Sequence, residues 1–280
     1  MRIIDAKTIT DAVRQIFLDI SCKLADDVAT AMESAWQQEK SQRGKTILRQ
    51  LLDNDRICRK TGDCVCQDTG MSILFVEVGQ DVHIEGNFEE AVNQGVREAY
   101  TAGYLRKSIV EDPLYERKNT EDNTPAIIHT RLVQGDQIRI EALAKGFGSE
   151  NMSAIRMMAP SAGEAGVLDF IVQTVKKAGA NPCPPIVVGV GIGGDFESVA
   201  GLAKRATLRS VFSRSPDERY KQLEIKALQL INKTGIGPGG LGGTVTALAV
   251  NVEQAPTHIA GLPVAVNISC HAVRHGSVVI

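Results

Sequence analysis

Residues 161–190 read SAGEAGVLDFIVQTVKKAGANPCPPIVVGV, and the fold class turns on this stretch. Ser161 with Glu164 has the form of a capping box that opens a helix, and Gly179 suits the position just past a helix end. After a loop bracketed by prolines, residues 186–190 form a short continuous apolar run, a buried strand. Helix, short loop and buried strand in that order make an α/β unit.

Working outward, residues 72–78, 126–133, 137–144, 245–252 and 264–269 also read as strands. Gln134-Gly135-Asp136 between the second and third looks like a hairpin turn. Asn87 with Glu90 is a capping box opening a helix to about residue 104, a further helix follows from 197 to about 211, and Ser215, Pro216 and Glu218 suit N-cap, N1 and N3 of another, which Gly235 ends. The N-terminal side is helical: Val13, Ile16, Phe17, Ile20, Leu24, Val28 and Met32 form one apolar stripe, and residues 46–54 a second helix. The fold class is therefore α/β in the mixed α+β sense. A helical part over 1–60 leads into a body over 61–280 with flanking helices and functional loops at strand ends.

The 280 residues suffice for a sizeable core, and a net charge of −2 gives the chain as a whole no pull towards nucleic acid or anionic lipid. Aromatic residues make up 4 %, too few for a base-stacking platform. The first ten residues lack a signal-peptide core, and no apolar run approaches the length of a membrane span. The expectation is a soluble, cytoplasmic protein whose six cysteines are thiols rather than a disulfide framework.

Three of those cysteines share a setting. Cys66 lies in Cys66-Gln67-Asp68-Thr69-Gly70 before a strand, Cys183 lies between Pro182 and Pro184-Pro185 before a strand, and Cys270 closes one. Prolines on both sides of Cys183 fix the backbone and remove competing donors. Soft thiolates select zinc, Cu(I) or iron–sulfur clusters, but the compact paired spacings of zinc fingers and ferredoxins are absent. Spacing leaves two readings open: three metal-binding thiolates, or buried free thiols.

Cys66-Gln67-Asp68-Thr69-Gly70 resembles the signature of the class I (iron–sulfur) fumarases and the related L-tartrate dehydratases. Further matches follow in family order: Tyr104-Leu105-Arg106, Asn119-Thr120 with Pro125, residues 145–151, Cys183-Pro184-Pro185, residues 235–243, His258 and Ser269-Cys270. The resemblance spans about residues 10 to 275. It implies that Cys66, Cys183 and Cys270 ligate a [4Fe–4S] cluster with one open iron site, and that Cys22, Cys58 and Cys64 do not. The activity it implies is reversible hydration of a small unsaturated dicarboxylate, fumarate to (S)-malate first (a step of the tricarboxylic acid cycle), with L-tartrate or mesaconate as alternatives. The stretch 148–151 looks more like the fumarases.

Hydration of such a double bond needs hydroxide delivered or removed (a step an open iron assists as a Lewis acid), a proton moved at carbon on the opposite face, and a clamp on two carboxylates. Arg106 is the candidate clamp, because a guanidinium fork matches a carboxylate. Gln67 is a substrate-binding candidate, and Asp68 either carries a proton or orients a neighbour. His258 is a catalytic candidate as a donor near the cluster, and His271 a supporting one. Gly146 and Gly148 allow backbone to approach substrate closely. Phe147 stands where the family usually has a third glycine, which puts the usual N–H geometry of that loop in question.

Other readings compete. Residues 189–194 satisfy G-x-G-x-x-G after a strand, the fingerprint of an NAD-dependent oxidoreductase. The acidic residue expected about 20 positions on is replaced by a helix start at Ser215-Pro216-Asp217. Lys204, Arg205 and Arg209 form a basic helix face, and a non-catalytic thiol or zinc protein is the remaining alternative. The family's second, C-terminal domain is not within the 280 residues. The resemblance thus implies an alpha subunit that acts with a separate beta subunit, as an α2β2 assembly, and places the carbon-proton base on that partner.

Overall fold

The computed structural model describes residues 1–280. In chain order the strands are β1 (Arg2–Asp5), β2 (Met71–Gly79), β3 (Val82–Glu85), β4 (Ile127–Val133), β5 (Ile138–Lys145), β6 (Ala154–Met158), β7 (Ile186–Gly194), β8 (Ala247–Thr257), β9 (Leu262–Ser269) and β10 (Arg274–Val279). The helices are α1 (Ala6–Ser21), α2 (Asp26–Gln38), α3 (Gln42–Thr61), α4 (Phe88–Ala102), α5 (Phe147–Glu150), α6 (Gly163–Ala178), α7 (Ser198–Ala206) and α8 (Glu218–Asn232). The mixed α/β architecture agrees with the sequence. No helix is long and apolar enough to cross a membrane.

The chain divides into two compact units. The first comprises residues 1–25, 55–147 and 274–280, and the second residues 26–54 and 148–273.

In the first unit a four-stranded sheet runs β10-β5-β2-β4, beside a small parallel pair of β1 and β3. Leu74, Val76 and Val78 of β2 and Ile138, Ile140 and Ala142 of β5 point alternately to one face, as a period of two requires. There they meet Ile9, Val13, Ile16 and Phe17 of α1 and Val92, Val96 and Tyr100 of α4. Gly95 lets α1 and α4 approach, since a Cβ there would lie 2.7 Å from Val13 Cβ.

The sequence suggests a hairpin through Gln134-Gly135-Asp136, but β4 and β5 do not pair with each other. Both flank β2, β4 parallel to it and β5 antiparallel. Alternation identified both strands and could not identify their neighbours. The single long N-terminal helix is also two helices. Leu24 N–H is taken by Asp55 Oδ1 at 2.8 Å and Leu24 C=O by the Arg59 guanidinium, so the helical ladder cannot continue past residue 22.

In the second unit the sheet order is β6-β9-β7-β8. Ile186, Val188, Val190 and Ile192 of β7 face α6 and α8. The alternate positions Gly189 and Gly191 face α7, where an added Cβ would fall 2.1 Å from Ala203 O and 2.3 Å from Val199 O. The G-x-G-x-x-G run is thus inside a strand and admits a helix. It is not the loop between strand and helix that a dinucleotide needs.

Capping differs from expectation in two places. Ser161 sits in a 3-10 turn (Pro160–Ala162), and α6 begins at Gly163 with no side-chain cap. The cap of α8 is Asp217, whose carboxylate accepts from Arg219 N at 2.9 Å, while Ser215 N is held by Glu224 Oε2. Asn87 does cap α4, accepting from Glu90 N at 3.0 Å, and Gly179 does terminate α6 with φ +56°.

Candidate active site

Cys66 to Gly70 leads into β2 in the first unit, and three buried side chains hold it in shape. The Tyr100 hydroxyl donates to Thr69 O at 3.0 Å and Gly70 O at 2.9 Å. Asn123 donates its amide to Gly70 O at 3.2 Å and accepts from Ser108 N at 2.8 Å. Thr69 Oγ1 donates to Arg106 O, which binds the Arg106 loop directly to the Cys66 loop. Burial pushes the Tyr100 pKa up to about 12, so the hydroxyl remains a donor throughout the neutral range. Gly70, at φ +84°, has no alternative, because a Cβ there would lie 2.8 Å from Lys145 N.

Asp68 is the hub of this group. One oxygen accepts from Gly70 N at 3.1 Å and lies 3.4 Å from Arg106 Nη2; the other accepts from Phe147 N at 2.9 Å. Phe147, the departure from the family's glycine pattern, therefore still uses its N–H in the site. Gly146 packs on the same carboxylate, its Cβ position 3.1 Å from Asp68 Oδ2. Gln67 Oε1 is 3.8 Å from Cys66 Sγ. Arg106 is exposed, its side chain 56 % accessible, as a group that receives a ligand from solvent should be. The first unit thus brings together Cys66, Gln67, Asp68, Arg106 and Gly146.

The second unit brings together Cys183, Cys270 and His271. Val187 pairs with Ser269, so the turn carrying Cys183 and the end of β9 carrying Cys270 share one end of the sheet. The His271 ring meets Cys183 O at 3.0 Å through Nδ1, and a carbonyl acceptor requires the proton on that nitrogen. Cys183 is exposed and has φ +53°, a conformation that costs a residue with a Cβ about 1–2 kcal/mol. Gly148 belongs to this unit, its Cβ position 3.6 Å from Asn181 O.

His258 is not part of that group. Parallel pairing sets Ile186 against Ala247 and Gly194 against Thr257, so His258 follows the far end of β7. Eight strand steps of about 3.3 Å separate the two ends, on the order of 26 Å. There His258 lines a largely apolar groove of about 410 Å³ with Ile192, Tyr220, Leu223 and Leu262. The sequence order of motifs gave no sign of this, because β8 runs parallel to β7 and β9 antiparallel.

All six cysteines are free thiols. Burial, ahead of the Asp63 and Asp55 carboxylates, pushes the Cys58 thiol up, and burial pushes Cys64 up against the pull of the Arg274 guanidinium. Both therefore ionise less readily than a free thiol. No group of three or more His, Cys, Asp or Glu side chains gathers as a site for a single metal ion. Cys66 in the first unit and Cys183 and Cys270 in the second are each offered beside a strand end, Cys183 on a backbone that a plain packing residue would avoid. A thiol so offered is a soft donor of the kind iron–sulfur clusters take.

The family model described as fumarate hydratase (Fumerase) matches residues 10–279. A Methanocaldococcus jannaschii protein provisionally named L(+)-tartrate dehydratase subunit alpha is 39 % identical over 271 residues, covering 95 % of each chain. The L(+)-tartrate dehydratase subunit alpha of Escherichia coli O157:H7 is 32 % identical over 274 residues, covering 97 % of this chain and 90 % of that one. That of E. coli K12 is similar to the same extent.

Proposed function

Because the chain belongs to the fumarate hydratase (Fumerase) family, we propose that it is the alpha subunit of an iron–sulfur hydro-lyase, adding or removing water at a small dicarboxylate together with a separate beta subunit. One observation carries this reading: the family match runs over residues 10–279, a range that includes every proposed site residue.

Cys66, Cys183 and Cys270 would hold a [4Fe–4S] cluster. When bound, its open iron supplies Lewis acidity at the substrate hydroxyl. The chain's own residues hold the dianion still. Arg106 receives one carboxylate, and Asp68 orients Arg106. Gln67 offers an amide to the substrate beside Cys66, and Gly146 keeps the wall free of a side chain. Asp68 accepts from the main-chain N–H groups of Gly70 and Phe147 and lies 3.4 Å from the Arg106 guanidinium, which supports the orienting role. The acceptor of the carbon-bound proton is assigned to the beta subunit. His258 lies at the wrong end of its sheet and is left out of this site.

Fumarate and malate are the substrates placed first. L-Tartrate is a second reading, favoured by the names of the relatives from M. jannaschii and E. coli. The test is anaerobic reconstitution with iron and sulfide, followed by assay on fumarate, malate, L-tartrate and mesaconate with the beta subunit supplied. Turnover of one of these is expected, with cluster loading abolished in a still-folded Cys183→Ser. A loaded assembly inert towards all four, or full activity in Cys183→Ser, defeats the reading.

A further inference from the structure

Glu39 connects α2 to α3 in the second unit and is 1 % exposed. Its carboxylate is held by main-chain donors: Ser41 N at 2.8 Å, Thr244 N at 2.9 Å to both oxygens and Val245 N at 2.8 Å, with the Thr244 hydroxyl at 3.1 Å. Burial alone would push its pKa up, but these donors outweigh burial and hold it below the usual carboxylate range. Glycines make room for it on two sides. A Cβ on Gly44 would lie 2.9 Å from Glu39 Cγ, and one on Gly243, at φ +147°, 2.8 Å from Glu39 Oε2.

Thr244 and Val245 close the glycine-rich loop 235–243, and that loop grips the Cys183 turn at two points. Gly239 N donates to Pro184 O at 2.8 Å. Gly240 sits against Ala180, where a Cβ would come within 2.2 Å, and Ala180 O in turn accepts from Cys183 N at 3.0 Å. Gly240, Leu241 and Gly242 turn their N–H groups inward to Gly237, Pro238 and Ile236, so this part of the loop is a brace rather than an anion cradle. A cysteine at φ +53° keeps that conformation only where its surroundings impose it.

We propose that Glu39 is a positioning residue for the Cys183 thiol, acting through the 235–243 loop. The thiol part of this inference stands on the hydrogen bonds alone; its consequence for a cluster rests on the reading of Cys183 as a ligand. Gln in place of Glu39 turns an N–H donor towards main-chain donors, so the loop loses its anchor while side-chain volume is kept.

The test uses the full apo chain and follows iodoacetamide alkylation of all six cysteines by peptide mass spectrometry. In Glu39→Gln, the already exposed Cys183 should change its alkylation rate by about threefold or more, because its turn leaves the conformation the loop imposes, while Cys22, Cys58 and Cys66 stay within about twofold. An unchanged Cys183 rate overturns the proposal. Should all six thiols respond together, the same rates in Glu39→Asp decide: a selective change at Cys183 supports the proposal, and a uniform change or none makes Glu39 a general fold-keeper and overturns it. Iron and labile sulfide bound per chain after reconstitution should fall in parallel. If Cys183 responds selectively in the apo chain but Cys183→Ser loads a cluster normally, the ligand reading fails and the positioning role stands.

Discussion

Asp68 and Arg106 are 38 positions apart and meet at 3.4 Å, a pair too exposed to matter much for stability, worth about 0–1 kcal/mol. Its value is orientation. Asp68→Asn places an amide N–H against Phe147 N–H and removes the charge opposite Arg106. In the reconstituted assembly KM for the dicarboxylate should rise about tenfold or more with kcat little changed, and Arg106→Ala should give no further loss in the double variant. A fall in kcat at constant KM would instead make Asp68 a group that acts on the reacting atoms. Tyr100 shows the opposite balance, fully buried and structural. Tyr100→Phe leaves Thr69 O without the hydroxyl donor and Gly70 O with the Asn123 amide alone, and should cost about 1–3 kcal/mol, read from chemical denaturation. Its pKa is raised from 10.0 to about 12 in the folded chain, so the neutral form is the stabilised one. The contribution is complete below pH 10 and is lost as pH climbs towards 12, because only the unfolded chain ionises in that window. Wild type should therefore lose its advantage over Tyr100→Phe across that interval; a constant difference would mean the hydroxyl is not held as described.

At the scale of elements, periodicity revealed which segments are strands and helices and left their partners open. The strands β2, β7, β8 and β9 were legible as apolar runs and β4 and β5 by alternation, whereas β1, β3, β6 and β10 are short or polar and carried no signal. The break between α1 and α2 was illegible because Asp55 and Arg59, which capture both backbone groups of Leu24, lie more than thirty positions away. The same limit applied to the site. The motif residues were visible as motifs, but the groups that fix them, Tyr100, Asn123 and Glu39, have no local pattern and act across 30 to 206 positions. The glycines of β7 were visible and ambiguous, since a nucleotide loop and a close helix contact both demand them. Substitution separates these. Gly189→Ala drives a Cβ to 2.1 Å from Ala203 O and should destabilise by about 1–3 kcal/mol or more, with no NAD binding in either form. Gly201→Ala, on α7 with nothing within 4 Å of the new methyl, should instead stabilise by about 0.4–1 kcal/mol. Equal effects of the two in urea unfolding would refute the packing account.

On the scale of the whole molecule, neither unit is a continuous piece of chain: the first takes three segments of sequence and the second two. Cutting the chain at residue 60, where the sequence reading separates a helical part from the body, would divide both, so cluster loading and substrate binding are to be measured on the full chain. Its length is close to that of the relatives named as alpha subunits, of which it covers 90–95 %. In the proposed reading Arg106 clamps a carboxylate, while Asp68 is committed to two main-chain donors and an ion pair, and elimination of water still needs a base for the carbon-bound proton. The chain with its cluster loaded should therefore bind a dicarboxylate yet turn over none, and addition of the beta subunit should restore turnover in a manner that saturates with subunit ratio. Substrate-induced change in the cluster's spectrum without the partner, followed by activity with it, would establish that division of labour. Turnover by the alpha subunit alone at the rate of the assembly would show that the proton acceptor lies within these 280 residues, and would reopen the role assigned to Asp68.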